Sequence, residues 1–122
     1  MSDQIGVTLE RTAYRPGEQL TGKAGWQLSD TPKKAHIRLF WKTSGKGTVD
    51  LKILEDRKID APQAAQLLDF AFALPDDPYS FEGHLITLRW GVEVVVGKAT
   101  DCAWFELGPD GHTCRIGATT AR

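Results

Sequence analysis

A period of two constrains this chain more than any other feature of its sequence. Short runs of alternating apolar and polar residues are broken by turn signals about every eight to twelve residues, a rhythm that predicts many strands. Ile5, Val7 and Leu9 alternate with Gly6, Thr8 and Glu10, so a strand here turns one face toward a core. Leu20, Gly22, Ala24 and Trp26 share one parity in the next run. Ala35, Ile37, Leu39 and Trp41 alternate with His36, Arg38, Phe40 and Lys42, and Val49, Leu51 and Ile53 continue the same period beyond Ser44-Gly45-Lys46-Gly47, which reads as a hairpin tip. The charged stretch Glu55-Asp56-Arg57-Lys58 reads as a solvated strand end or loop.

The second half repeats the pattern. Between Asp60 and Leu68, Asp60 and Pro62 are compatible with a turn of helix, but Leu68, Phe70, Phe72 and Leu74 then alternate up to Pro75 as a strand does. A long strand is predicted over Leu85 to Val96, interrupted at Gly91, and a last short one carries Ala103, Phe105 and Leu107. The tail from Gly108 to Arg122 is expected to be loose, which sets a domain over residues 1–108 and a tail over 109–122. Seven or so strands at this spacing argue for an all-β fold of two packed antiparallel sheets, an immunoglobulin-like sandwich.

Composition narrows the functional classes. The 122 residues suit one domain, and 41% hydrophobic with 25% charged residues is ordinary for a folded protein. With 15 basic and 16 acidic side chains the formal net charge is -1, which gives no broad positive field for nucleic acid. Val94-Val95-Val96 typifies the short apolar runs, far below the roughly 20 residues that cross a bilayer. The opening Met1-Ser2-Asp3-Gln4 lacks the features of a secretory signal, so a cytoplasmic location without membrane insertion is expected. Cys102 and Cys114 are too few for a disulfide scaffold, and that compartment would keep them reduced.

One turn motif carries a mechanism. Pro16 fixes the backbone at the first central position of a turn, and Gly17 supplies the positive angle that a type II turn needs at the second. Tyr14-Arg15-Pro16-Gly17-Glu18-Gln19-Leu20-Thr21-Gly22 resembles the Tyr-x-Pro-Gly-Glu-x-Leu-x-Gly turn and strand start of arrestin-type domains. Phe70-Ala71-Phe72-Ala73-Leu74-Pro75 and Pro78-Tyr79-Ser80-Phe81-Glu82-Gly83 are similar to the family's Phe-x-Phe-x-Leu-Pro and Pro-x-Ser-Phe-x-Gly segments, and Trp90-Gly91-Val92-Glu93-Val94 follows in the family's order. The agreement spans roughly residues 5 to 107. The resemblance implies a two-sheet sandwich and a role in protein recognition, as in arrestins, the arrestin-like subunit of retromer and bacterial sporulation-control relatives. Typical members join two such domains, and this chain has the length of one. The matched residues Pro16, Gly17, Glu18, Gly22, Pro75, Pro78 and Gly83 carry turn geometry, so no catalytic or binding role transfers with them.

Candidate sites are sparse. Lys42-Thr43-Ser44-Gly45-Lys46-Gly47 lacks the full phosphate-loop pattern and a following helix, and reads as a basic hairpin tip. Cys102, His112 and Cys114 offer three ligand types at irregular spacing where structural zinc shows four in pairs, so no metal and no cofactor is expected. His36 and His84 have no nucleophile setting beside them, and Asp76 and Asp77 between Pro75 and Pro78 read as turn residues. Nothing forms a catalytic constellation. Of Trp26, Trp41, Trp90 and Trp104, the first two share parity with apolar neighbours, whereas Trp104 lies on the parity of Cys102 and Glu106 while Phe105 takes the apolar side. Trp104 is therefore the expected contact residue. The expected function is a non-enzymatic adaptor or scaffold that binds a protein. The alternatives are a homo-oligomer formed through sheet edges and, less favoured, a small-ligand carrier or enzyme.

Overall fold

A computed structural model describes residues 3–45, 48–76, 78–82, 86–108 and 114–115, and among them it is all-β, built from ten strands. These are β1 (Gln4–Leu9), β2 (Ala13–Tyr14), β3 (Gln19–Gln27), β4 (Ala35–Gly45), β5 (Thr48–Lys58), β6 (Ala65–Ala73), β7 (Phe81–Glu82), β8 (Ile86–Val96), β9 (Ala99–Leu107) and β10 (Cys114–Arg115). They form a three-stranded sheet in the order β1-β3-β6 and a seven-stranded sheet built on β10-β7-β8-β4-β5, with β9 beside β8 and β2 beside β9. The two-residue pairs β2–β9 and β7–β10 are parallel, and the other pairings are antiparallel.

The alternating sequence explains why the sheets stack. Leu20, Ala24 and Trp26 of β3, with Phe70 and Phe72 of β6, turn inward from the small sheet. Ala35, Ile37 and Leu39 of β4, Trp90, Val92, Val94 and Val96 of β8, and Phe105 and Leu107 of β9 meet them from the large one. This is the one-sided burial that an antiparallel sheet with polar outer positions requires. The buried side-chain nitrogen and oxygen atoms of the described residues all have hydrogen-bond partners. At one side the sheets meet where the Val7 N–H donates to Asp101 Oδ2 at 2.9 Å, so β9 covers the outer edge of β1.

Four expectations change. The turn of helix at Asp60–Leu68 does not form. Instead Ala61 takes φ 47°, the Gln63 carbonyl accepts from Trp26 Nε1 at 2.7 Å, and the Ala64 carbonyl accepts from the Leu28 N–H at 2.8 Å, so these carbonyls bond to the neighbouring chain and not within a helical turn, while the Gln63 N–H donates to Gln66 Oε1 at 3.0 Å. Gly91 does not interrupt β8, which runs through it in continuous register with β4. The last strand begins at Ala99 and not near Ala103, because Gly97-Lys98 closes a tight hairpin in which Val96 pairs with Ala99. Pairing also continues past residue 108, where Cys114 and Arg115 lie beside Phe81 and Glu82.

Candidate functional site

The turn after β2 is the first motif that sequence singled out. Gly17 has φ 81°, a conformation costly for a residue with a Cβ, and the Glu18 N–H donates to the Arg15 carbonyl at 3.2 Å to close the turn. Glu18 Oε1 accepts from the Arg15 N–H at 2.6 Å and from Arg11 Nη2 at 2.9 Å. The Arg15 amide and then the Arg11 guanidinium hold the Glu18 carboxyl below its ordinary value. Its backbone carbonyl receives the Leu74 N–H at 3.0 Å, which places Pro75 next to the turn. Gly22 sits in β3 between Leu9 and Phe70, where a Cβ would lie 2.7 Å from Phe70 Cζ and run into the Thr8 carbonyl oxygen.

The second motif is hooked to the large sheet. The Pro78 carbonyl accepts from the buried Trp90 indole N–H at 2.7 Å. Ser80, a buried polar residue, donates from its hydroxyl to the Leu107 carbonyl at 3.1 Å and accepts the Leu107 N–H at 2.8 Å, and its own N–H donates to the same carbonyl at 2.8 Å. Gly83 lies outside the described residues, as do Lys46, Gly47, Asp77, His84 and His112.

Trp104 stands on the outer face of the large sheet, half-buried. Paired residues of antiparallel strands share a face, and Trp104 pairs with Gly91, Gly91 with Phe40, and Phe40 with Ile53. The Trp104 and Phe40 rings meet edge to face at 5.4 Å and 74° across Gly91. A Cβ on Gly91 would lie 2.8 Å from Phe40 Cζ and 3.1 Å from Trp104 Cε3, so the aromatic pair requires glycine between its rings. Arg89 lays its guanidinium over the Trp104 ring, 4.2 Å from the centroid. A depression of about 430 Å³ opens beside this stack, lined by Thr12, Thr87, Arg89, Trp104 and Glu106 among others. Parity pointed to Trp104, but the partners that shape it, Arg89 and Phe40, come from strands distant in sequence.

The remaining candidates do not converge. His36 Nδ1 lies 2.9 Å from Asp56 Oδ1, and Arg38 bridges Asp56 at 3.3 Å and Glu93 at 3.8 Å, a charged group spread across β5, β4 and β8. Cys102 is a free thiol on the Trp104 face. Burial and then the carboxylates of Glu93 and Asp101 push it up to about 11, which suits neither a nucleophile nor a metal ligand. No group of three or more His, Cys, Asp or Glu that could hold a metal is found among the described residues. Nor is any helix there long and apolar enough to cross a membrane.

Strand order and core together define a two-sheet β-sandwich, the architecture that the turn motifs implied. Among solved structures the chain is similar to Spo0M, the sporulation control protein from Bacillus subtilis, with a TM-score of 0.62 at 15% identity over 88% of this chain and 49% of that one. The chain thus spans about half the length of that protein. A β-glucosidase from Listeria innocua (TM-score 0.49, 19% identity, 91% of this chain and 16% of that one) superposes more loosely. So does the Pseudomonas fluorescens alkylpurine DNA glycosylase AlkC (0.48, 16%, 86% and 30%). At these identities the likeness concerns the fold alone, and the two looser superpositions carry no argument about this chain. No family model and no curated protein matches the sequence.

Proposed function

We propose that the chain is a non-enzymatic protein-binding module, an adaptor or scaffold of the cytoplasm, that receives its partner on the outer face of the large sheet at Trp104. The observation that carries this reading is the stack of Arg89 on Trp104 on Phe40 at the rim of a depression. A rigid aromatic with an arginine beside it offers large contact area at small entropic cost, the composition of binding hot spots. These groups recognise a partner and supply no nucleophile or general base. A regulatory role of this kind also agrees with the control function for which the Bacillus subtilis protein that shares the fold is named.

The test is affinity capture with the tagged chain, run side by side with Trp104→Ala and with Leu67→Ala on the small sheet, each checked for folding by circular dichroism. A protein retained at near-stoichiometric amount by the wild type and by Leu67→Ala, and lost by Trp104→Ala, supports the reading. Equal retention by all three, or retention of the bait alone, removes it.

A further inference from the structure

We infer that β5 is a self-pairing edge, through which two copies of the chain join their large sheets about a two-fold axis at Leu51. Among the described residues β5 pairs with β4 alone and ends the sheet. Its outer-face residues Val49, Leu51 and Ile53 are 61%, 59% and 42% exposed, three large apolar side chains in a row on one strand. An uncovered apolar row on an open ladder is a template for another strand.

The backbone is turned the right way. The Asp50 N–H points to β4, donating to Thr43 Oγ1 at 3.1 Å, and residues along a strand alternate in the side to which they present N–H and C=O. Val49, Leu51 and Ile53 therefore present theirs to the open edge. The bulge opposite Leu39 and Phe40 then shifts the alternation by one residue, so that the Ile59 N–H again reaches β4, donating to the Ala35 carbonyl at 2.8 Å. The open ladder thus coincides with the apolar row.

The side chains select a second copy and a single register. With the axis at Leu51, Val49 meets the partner's Ile53, Leu51 meets the partner's Leu51, and Ile53 meets the partner's Val49, all on one face. On the other face Asp50 meets the partner's Lys52, and Lys52 meets the partner's Asp50, so opposite charges face each other twice. An axis at Asp50 or at Lys52 sets like charges opposite each other, and an axis at Ile53 sets Asp50 against the partner's Asp56. The pattern is self-complementary, as an isologous interface requires, and the register at Leu51 avoids the mismatches of its neighbours.

The test reads mass and register. Sedimentation equilibrium of the wild-type chain gives twice the chain mass. Asp50→Lys or Lys52→Asp alone raises the dissociation constant about tenfold, and the two together restore it, because only the doubly swapped strand regains opposite charges. In this register paired residues lie about 5.5 Å apart, so Leu51→Cys closes to a covalent dimer under mild oxidation. Val49→Cys does not, because its own copy lies about 13 Å along the partner strand. Wild-type chain treated in parallel controls for Cys102 and Cys114. A monomer from micromolar to millimolar concentration overturns the proposal. So does a dimer that the charge swap does not rescue or that Leu51→Cys does not lock. Trp104→Ala leaves the dimer intact, so loss of partner binding and loss of self-pairing are read separately.

Discussion

At the scale of single residues, two positions show how local chemistry serves a distant neighbour. Gly91 lies between the Phe40 and Trp104 rings with no space for a methyl group. Gly91→Ala should destabilise by about 1–3 kcal/mol, as overpacking does, and should disturb the near-ultraviolet signal of Trp104. Urea denaturation with near-ultraviolet circular dichroism checks both. Glu18 binds the turn amide of Arg15 and the Arg11 guanidinium, and its carboxyl is held below the ordinary 4.5. A carboxyl lowered by folding stabilises the fold above its unfolded value, and that contribution is lost as pH falls through the folded one. The melting temperature of wild type over Glu18→Gln should therefore be higher at neutral pH and converge in acid. A gap that stays constant with pH would deny the charge any part.

At the scale of elements, β8 organises the large sheet. It pairs with β4 along its whole length, and its other edge is shared between β9 at Trp90–Val96 and the two-residue β7 at Thr87–Leu88. So short a strand as β7 needs tertiary anchors, and it has them in the Trp90 indole on the Pro78 carbonyl and in Ser80 on Leu107. Ser80→Ala leaves the buried Leu107 N–H without the hydroxyl that accepts it. It should cost about 1–3 kcal/mol in chemical denaturation, more than an exposed Ser→Ala elsewhere. This role of Ser80 was not legible from its place in a turn motif. A serine between Tyr79 and Phe81 reads as polar filler until β9 is placed beside it. The Pro16-Gly17 turn was legible because its cause is local, a fixed φ followed by a positive one.

At the scale of the molecule, two surfaces share the outer face of the large sheet, Trp104 on β9 and the apolar row on β5, with Gly91 of β8 and Phe40 of β4 between them. Their separation predicts a double dissociation. Trp104→Ala should abolish partner capture while the sedimenting mass stays that of the dimer, and Leu51→Lys should give a monomer that still captures the partner. Loss of both properties in either variant would show that the two surfaces act as one.

The sequence by itself determined that the chain is a two-sheet β-sandwich, where its main turns fall, and which parity of most strands is buried. Period and turn chemistry are properties of neighbouring residues, and they survive whatever the strand order. It also placed Trp104 on the polar parity of its strand. Tertiary structure alone decided that Val49, Leu51 and Ile53, which continue the core-like period of β4, face solvent. Their row lies on the outer face of an edge strand, and position in the sheet is a property of pairing between segments far apart in the chain. The same holds for Arg89 over Trp104, Ser80 on Leu107 and Asp101 on β1, each a contact that exists only once the strands are ordered.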